Sequence, residues 1–147
     1  VCQLDSAVTT CYLSDSGSEV FEFRSANQHQ AKITGEVSNM THSSKFTIIN
    51  GEKFVWNITR NADNQLHMFK NGLLCRGDND GESVSNNAFD LENLGVKNAA
   101  SPANFFDGRM YDLIVISGTV EDERTQRESI TKSLLRKHLI NEQNDAE

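Results

Sequence analysis

The sequence predicts an all-β fold, a sandwich or barrel of antiparallel strands closed by one C-terminal helix. Apolar and polar residues alternate with a period of two along most of the chain, which is typical of half-buried strands. Only the last part of the chain changes to a helical period, and strands and helices do not alternate. At 147 residues the chain has the size of one domain, typically about 100–150 residues.

Alternation predicts four strands in the first part of the chain. They cover residues 19–24, 31–37, 46–48 and 53–60. Phe21 and Phe23 share one face of the first strand, so we expect that face to lie against the core. Trp56 shares a face with Phe54 and Ile58 in the fourth strand, which predicts a core position for its indole ring.

A hairpin follows these four strands. Residues 61–64 form a polar turn, and residues 65–70 then alternate again. Asn71-Gly72 is a strong hairpin signal, because a type I′ turn requires a positive φ at both of its central residues. The pattern therefore predicts a second hairpin strand at residues 73–76.

A further strand, predicted at residues 105–117, is apolar on both faces. One face carries Tyr111, Leu113 and Val115, and the other carries Met110, Ile114 and Ile116. Two apolar faces predict a strand that is buried on both sides, in the middle of two packed layers. Asp112 stands alone as an acidic residue among these apolar side chains.

The C-terminal helix is predicted at residues 120–140. Acidic residues 121–123 suit the positive end of the helix dipole, and basic residues 136–138 suit the negative end. One apolar stripe follows helical spacing and consists of Ile130, Leu134, Leu135 and Leu139. We therefore expect a single domain over residues 1–140, followed by a polar tail at 141–147.

The net charge of −7 limits the partners of this chain. A negative field repels phosphate backbones and anionic lipid headgroups, which argues against nucleic acid and membrane-surface partners. No apolar run approaches the ~20 residues of a membrane span. Because the sequence begins with Val1, we expect a processed chain or a fragment of a longer protein.

The three cysteines are Cys2, Cys11 and Cys75, and their spacing matches no zinc pattern. A Cys2–Cys11 bridge would close a short loop in an oxidising compartment. Reduced thiols that act as small buried apolar groups are the favoured alternative.

Three stretches resemble concanavalin A-like, laminin G-like domains. Residues 53–60 (KFVWNITR) and 66–72 (LHMFKNG) are similar to a Trp-bearing strand and a strand that runs into Asn-Gly. Residues 91–95 resemble the family's short strand ending in Gly, and residues 106–139 resemble its closing strand and helix. The resemblance implies a two-sheet antiparallel jelly roll. It suggests recognition of glycans or surfaces, as in lectin-like modules, adhesion proteins and virus particles.

No catalytic constellation is visible in the sequence, which predicts a domain that is not an enzyme. A glycan hydrolase on this fold needs carboxylates at even spacing along one strand face. Glu19 and Glu22 fall on opposite faces, and the four histidines lie far apart in the chain. Nucleophile motifs such as Gly-x-Ser-x-Gly are absent.

Polar turns and the predicted surface loop at 77–87 hold the candidate binding residues. Asp78 and Asp80 are candidate calcium ligands, because hard cations take clustered oxygen ligands. A solvated turn explains the same residues and is the favoured interpretation. Calcium is therefore a possible cofactor, and the sequence indicates no other. The side chains that could bind sugar hydroxyls are Asn61, Asp63, Asn64, Asn86 and Asn87.

The leading hypothesis is a non-catalytic recognition domain outside a cell or on a virion surface. It would bind a glycan or a surface protein through loops on a rigid sandwich. The alternative is a structural assembly module, such as a capsid-decorating or fibre subunit of a virus particle. That module would contact neighbouring subunits, bind no sugar and form a homo-oligomer. Neither hypothesis involves nucleic acid or membrane insertion.

Overall fold

The structure is a computed structural model that describes residues 1–6, 9–15, 19–33, 36–41, 47–61, 64–75, 92–97, 103–116 and 123–140. Within these ranges the chain forms eleven strands in three antiparallel sheets and one C-terminal helix. The architecture is mostly β, as the alternating pattern predicts, and is consistent with an all-β sandwich.

The elements follow one another in a simple order. They are β1 (Cys2–Leu4), β2 (Thr10–Ser14), β3 (Val20–Ser25), β4 (Gln28–Ile33), β5 (Glu36–Thr41), β6 (Lys53–Phe54), β7 (Trp56–Arg60), β8 (Leu66–Lys70), β9 (Leu73–Leu74), β10 (Asn93–Leu94), β11 (Gly108–Met110) and α1 (Glu123–His138). The five-stranded sheet has the order β10-β2-β3-β4-β5. The two three-stranded sheets have the orders β11-β1-β6 and β7-β8-β9.

The five-stranded sheet packs against both smaller sheets through apolar clusters. Phe23 of β3 packs with Leu4 and Phe54 of the first small sheet. Phe21, also on β3, packs with Leu66 of the second. Trp56 contacts both clusters, which confirms its predicted place in the core.

Strand β3 is buried on both faces, which corrects the expectation of a half-buried strand. Glu22 lies on the face opposite Phe23 and is also fully buried. A distant segment covers it, because Asn104 donates from Nδ2 to Glu22 Oε2 at 3.1 Å. The carbonyl of Asn104 also accepts from the backbone N–H of Cys11 at 2.8 Å. Alternation within the strand cannot reveal a cover that comes from 82 residues further along the chain.

The predicted strand at 53–60 divides at Val55. Strand β6 pairs with β1 and strand β7 pairs with β8, so the chain passes between two sheets at this residue. Val55 donates from its N–H to Asn71 Oδ1 and accepts from the Asn71 N–H, both at 2.9 Å. This reciprocal pair satisfies the backbone of Val55 where it belongs to neither sheet.

One predicted hairpin is confirmed, and one predicted strand is wrong. Asn71 and Gly72 have φ values of 52° and 90°, and they join β8 to β9 as a type I′ turn requires. The single strand expected at 31–37 is instead the meeting of two strands. Ile33 of β4 pairs with Glu36 of β5, so the chain reverses between them. Alternation continues across such a tight reversal and does not mark it.

The C-terminal helix is confirmed, with an earlier end than predicted. Helix α1 stops at His138, and Leu139 has a φ of 54° and is 91 % exposed. Leu139 therefore does not belong to the buried stripe. Leu135 is buried against Val1 and Val55 and attaches the helix to the sheets. The predicted start at 120–122 and the tail at 141–147 lie outside the described residues.

The buried central strand predicted at 105–117 is wrong for most of its length. Only β11 is a strand there, and residues 113–116 are exposed. The apolar character of both faces is real, but no described part of the chain covers it.

Glycine is required at position 108, where β11 pairs with β1 and Gly108 lies opposite Leu4. Replacing Gly108 tests this register directly. A Cβ at Gly108 would lie 2.1 Å from the carbonyl oxygen of Gln3 and 2.9 Å from Leu4 Cα. Because backbone atoms cannot move aside locally, we expect Gly108→Ala to lower the free energy of unfolding by about 3 kcal/mol or more, measured by urea denaturation.

Gly51→Ala is the matched control for the Gly108 variant. Gly51 also has a positive φ of 79°, but no atom lies within 4 Å of an added Cβ. Backbone strain alone should cost about 1–2 kcal/mol there. If the two variants lost the same free energy of unfolding, the close approach of Gly108 to the backbone of β1 would be contradicted.

Candidate functional site

The most unusual surface of the described chain is an exposed aliphatic segment directly after β11. We call Leu113, Ile114, Val115 and Ile116 the aliphatic segment. These side chains are 47 %, 53 %, 58 % and 54 % exposed, so neither face of the segment is covered. Four consecutive exposed aliphatic residues differ from the singly scattered apolar residues of an ordinary surface.

The aliphatic segment continues from the edge of a sheet. Strand β11 is the outer strand in the order β11-β1-β6. The N–H groups of Tyr111 and Asp112 still donate to the carbonyl oxygen of Val1, at 2.8 and 3.4 Å. Among the described residues, none forms a backbone hydrogen bond with Leu113 or the three residues that follow it. Edge strands with free backbone groups are templates for pairing with another strand.

The residues just before the aliphatic segment are firmly held. Asp112 Oδ1 accepts from Lys137 Nζ at 2.6 Å, and Asp112 Oδ2 contacts Nε2 of His138. The α-amino group of Val1 donates to the backbone oxygen of Asp112 at 2.7 Å. Asp112 is thus the attachment point between β11 and the end of α1, a role that its isolation in the sequence did not suggest.

Tyr111 adds a second attachment on the side of β1. Its hydroxyl donates to Gln3 Oε1 at 2.9 Å, and Lys53 Nζ lies 4.8 Å from the centroid of its ring. The ring also contacts His138, with centroids 5.5 Å apart. The residues directly before the aliphatic segment, 111 and 112, are therefore held in place by hydrogen bonds to β1 and α1.

The buried carboxylate of Glu22 is paired on both oxygens. Oε1 accepts from Arg24 Nη1 at 2.9 Å, and Oε2 accepts from Asn104 and lies 3.7 Å from Lys97 Nζ. A carboxylate with this many partners joins strand β3 to residues 97 and 104. These partners within the chain account for the burial of the Glu22 carboxylate, so its role is structural.

A second buried polar pair lies inside the aromatic core. Tyr12 and His29 are joined by a 2.6 Å hydrogen bond between the hydroxyl and Nε2. The rings of Phe23 and Trp56 lie 5.6 and 5.8 Å from that of His29. Burial raises the pKa of Tyr12 well above its ordinary value. Sequence reasoning missed this pair, because the β3–β4 register that places His29 opposite Phe23 is set only by the tertiary structure.

Few of the predicted binding residues fall in the described part of the chain. Asn61 accepts from the Gln65 N–H at 2.8 Å and donates to Gln65 Oε1 at 3.2 Å, so its amide stabilises the turn. Asn64 has a φ of 58° in the same turn. The remaining predicted residues lie outside the described residues; they are Asp63, Asp78, Asp80, Asn86 and Asn87. Calcium binding and sugar binding at these residues stay predictions.

No metal site is formed within the described ranges. No three histidine, cysteine, aspartate or glutamate side chains converge there. In the same part of the chain, the single helix is not long and apolar enough to cross a membrane.

All three cysteines are buried, and no disulfide joins them. Of the two alternatives left open by the sequence, the structure has the unbridged one. Burial raises the pKa of Cys2 and of Cys11 to about 12. These thiols stay protonated at neutral pH, which makes them unreactive.

Comparison with protein-family models gives no match, and neither do comparisons with curated proteins and with solved structures. The resemblance to laminin G-like domains therefore stays a prediction.

Asp112 should make the stability of the domain depend on acid pH. Hydrogen bonds from Lys137 and His138 lower the pKa of its carboxyl. A lowered folded-state pKa adds stability above the unfolded pKa, and this stability is lost as the pH falls through the folded pKa. We expect Asp112→Asn to unfold at lower urea concentration at pH 7 and to lose less stability between pH 4 and pH 2.

The exposed Asp5 provides the control for the Asp112 variant. Asp5→Asn should leave the profile of urea midpoint against pH close to that of the wild type. An Asp112→Asn profile parallel to the wild-type profile would contradict the ion pairs.

Thiol labelling tests the burial of the cysteines. At pH 8 we expect a thiol-reactive chromophore to label the folded chain far more slowly than a small free thiol, because Cys2 and Cys11 remain protonated. In guanidinium chloride all three thiols should react at once. Rapid labelling of the folded chain would contradict the burial of the cysteine thiols.

Proposed function

We propose that this chain is a structural assembly module, which binds another polypeptide through the aliphatic segment and the edge of β11. One observation carries the proposal: Leu113, Ile114, Val115 and Ile116 are all about half exposed at the end of a sheet edge. The module acts by joining subunits and has no catalytic role.

The hydrophobic effect gives the first physical reason. Burying the side chain of a valine, leucine or isoleucine is worth about 1.5–3 kcal/mol. The four side chains of the aliphatic segment are already about half buried, so a partner would gain about half of this amount at each of them, which still favours contact. A partner strand would cover both faces partly and would also bond to backbone groups of the segment that have no backbone hydrogen bond to another described residue.

The absence of charge and of proline from the aliphatic segment gives a second reason. Edge strands that must remain single usually carry lysine, proline or a bulge. The aliphatic segment carries no charged residue and no proline. Its neighbour Asp112 forms an ion pair with Lys137, which reduces the repulsion that its charge would exert on an approaching strand.

The buried ionisable groups are consistent with a non-catalytic domain. Glu22 is held by Arg24, Lys97 and Asn104, and His29 is enclosed by aromatic rings. Both contribute to packing and cohesion. Sugar binding has less support in the described chain, because the amide of Asn61 is engaged by Gln65.

We further propose that the sheets form the two-layer jelly roll of the laminin G-like resemblance. The support is the aromatic contact between β3 and strands β6 and β7, made by Phe23, Phe54 and Trp56. The setting that this resemblance favours is the outside of a cell or of a virus particle.

A strand-mimicking peptide tests the proposed function. The probe is a fluorescent peptide with the sequence of residues 111–116, YDLIVI, flanked by solubilising lysines. We expect saturable binding to the full chain in fluorescence anisotropy. Ile114→Lys in the chain should weaken binding at least tenfold, because it puts a charge into the contact.

Two controls make the peptide experiment specific. Ile49→Lys changes another isoleucine that is 61 % exposed and should leave binding unchanged. A peptide with proline in place of its central isoleucine has the same charge but lacks one backbone donor, and it should bind weakly. The proposed function is wrong if the chain does not bind the first peptide, or if it binds both peptides equally.

A further inference from the structure

We infer that the polypeptide received by the aliphatic segment is a second copy of this chain, paired antiparallel with the same segment about a two-fold axis at Ile114. This inference rests on the proposed function and names the partner of that same surface. With this axis, residues 112–116 of the two copies pair with each other directly after the β11 strands of their β11-β1-β6 sheets.

The sequence of the segment is suited to pairing with itself. With the axis at Ile114, Leu113 of one copy lies opposite Val115 of the other. Ile116 lies opposite Asp112, so no like charges face each other across the pair. Cross-strand pairs of β-branched and aliphatic side chains stabilise antiparallel strands. A two-fold interface needs only one self-complementary patch on the chain.

The charge distribution also favours this position for contact between copies. Each chain has a net charge of −7, so two copies repel one another over most of their surfaces. The aliphatic segment is uncharged, and Asp112 beside it is paired with Lys137 at 2.6 Å and with His138. Two copies therefore meet there at the lowest electrostatic cost.

The size of the contact sets the expected affinity. Stable dimers bury about 800 Å² on each partner, which is more than four half-exposed side chains provide. The dimer should therefore be weak and reversible, with a dissociation constant in the micromolar range or above. Residues 111 and 112 are held in place, which restricts the conformations of the unpaired segment. The conformational entropy lost on pairing is therefore smaller.

Sedimentation velocity of the full chain over a wide concentration range is the first measurement. We expect the mass to rise from monomer to dimer as concentration increases, with no larger species. Ile114→Lys should raise the dissociation constant at least tenfold, because two lysines would face each other on the axis. Ile49→Lys should leave it unchanged.

Single cysteines then test the register. Directly opposite residues of antiparallel strands have Cα atoms about 4.5–5.5 Å apart, within disulfide range. Ile114→Cys should therefore form a disulfide-linked dimer under mild oxidation. Val115→Cys is the matched control, because it faces Leu113 of the other copy and not itself. The native cysteines do not interfere, since they are buried.

The outcomes separate the two proposals. A chain that stays monomeric at every concentration but still binds the YDLIVI peptide excludes the second copy and leaves the assembly function standing. A monomeric chain that does not bind the peptide overturns both. A dimer that Ile114→Lys does not weaken, or that cross-links through Val115→Cys and not through Ile114→Cys, overturns the pairing stated here.

Discussion

The contact between Trp56 and Phe23 holds the layers of this domain together. Their rings meet edge to face with centroids 5.2 Å apart, and Phe54 packs edge to face on Phe23 at 6.1 Å. Phe23 lies on the five-stranded sheet, while Phe54 and Trp56 lie on the two smaller sheets. Trp56 also packs on the cluster around Met68, so this one ring contacts both apolar clusters. Aromatic pairs of this geometry add to the ordinary gain from apolar burial.

The chain changes sheets beside this aromatic contact. Phe54 must face β1 and Trp56 must pair within β7–β8, so the chain changes sheets at Val55. In the small sheet that contains Phe54, β6 and β11 are the two outer strands. Asp112 and Tyr111 then hold the chain beside β1 and the end of α1. The aliphatic segment follows from this fixed point with its side chains exposed.

Exposure of the aliphatic segment shows what a hydrophobic pattern can and cannot say. The aliphatic segment has the composition of a strand that is buried on both sides. The prediction that this chain itself buries the segment was wrong. The pattern reports that a strand is suited to burial and does not report which polypeptide covers it. A surface used for assembly and a central strand are therefore alike in sequence, and only the position of β11 at a sheet edge separates them.

By itself, the sequence determined the local elements of this protein: the strand periodicity, the hairpin at Asn71-Gly72, the core position of Trp56 and most of helix α1. Each depends on neighbours in the chain, through side-chain alternation, a required positive φ or helical spacing. Tertiary structure alone decided the burial of Glu22 and His29, the attachment of Asp112 to α1 and the exposure of residues 113–116. These features depend on residues far apart in the chain, such as Asn104 over Glu22, and local periodicity carries no information about such distant contacts.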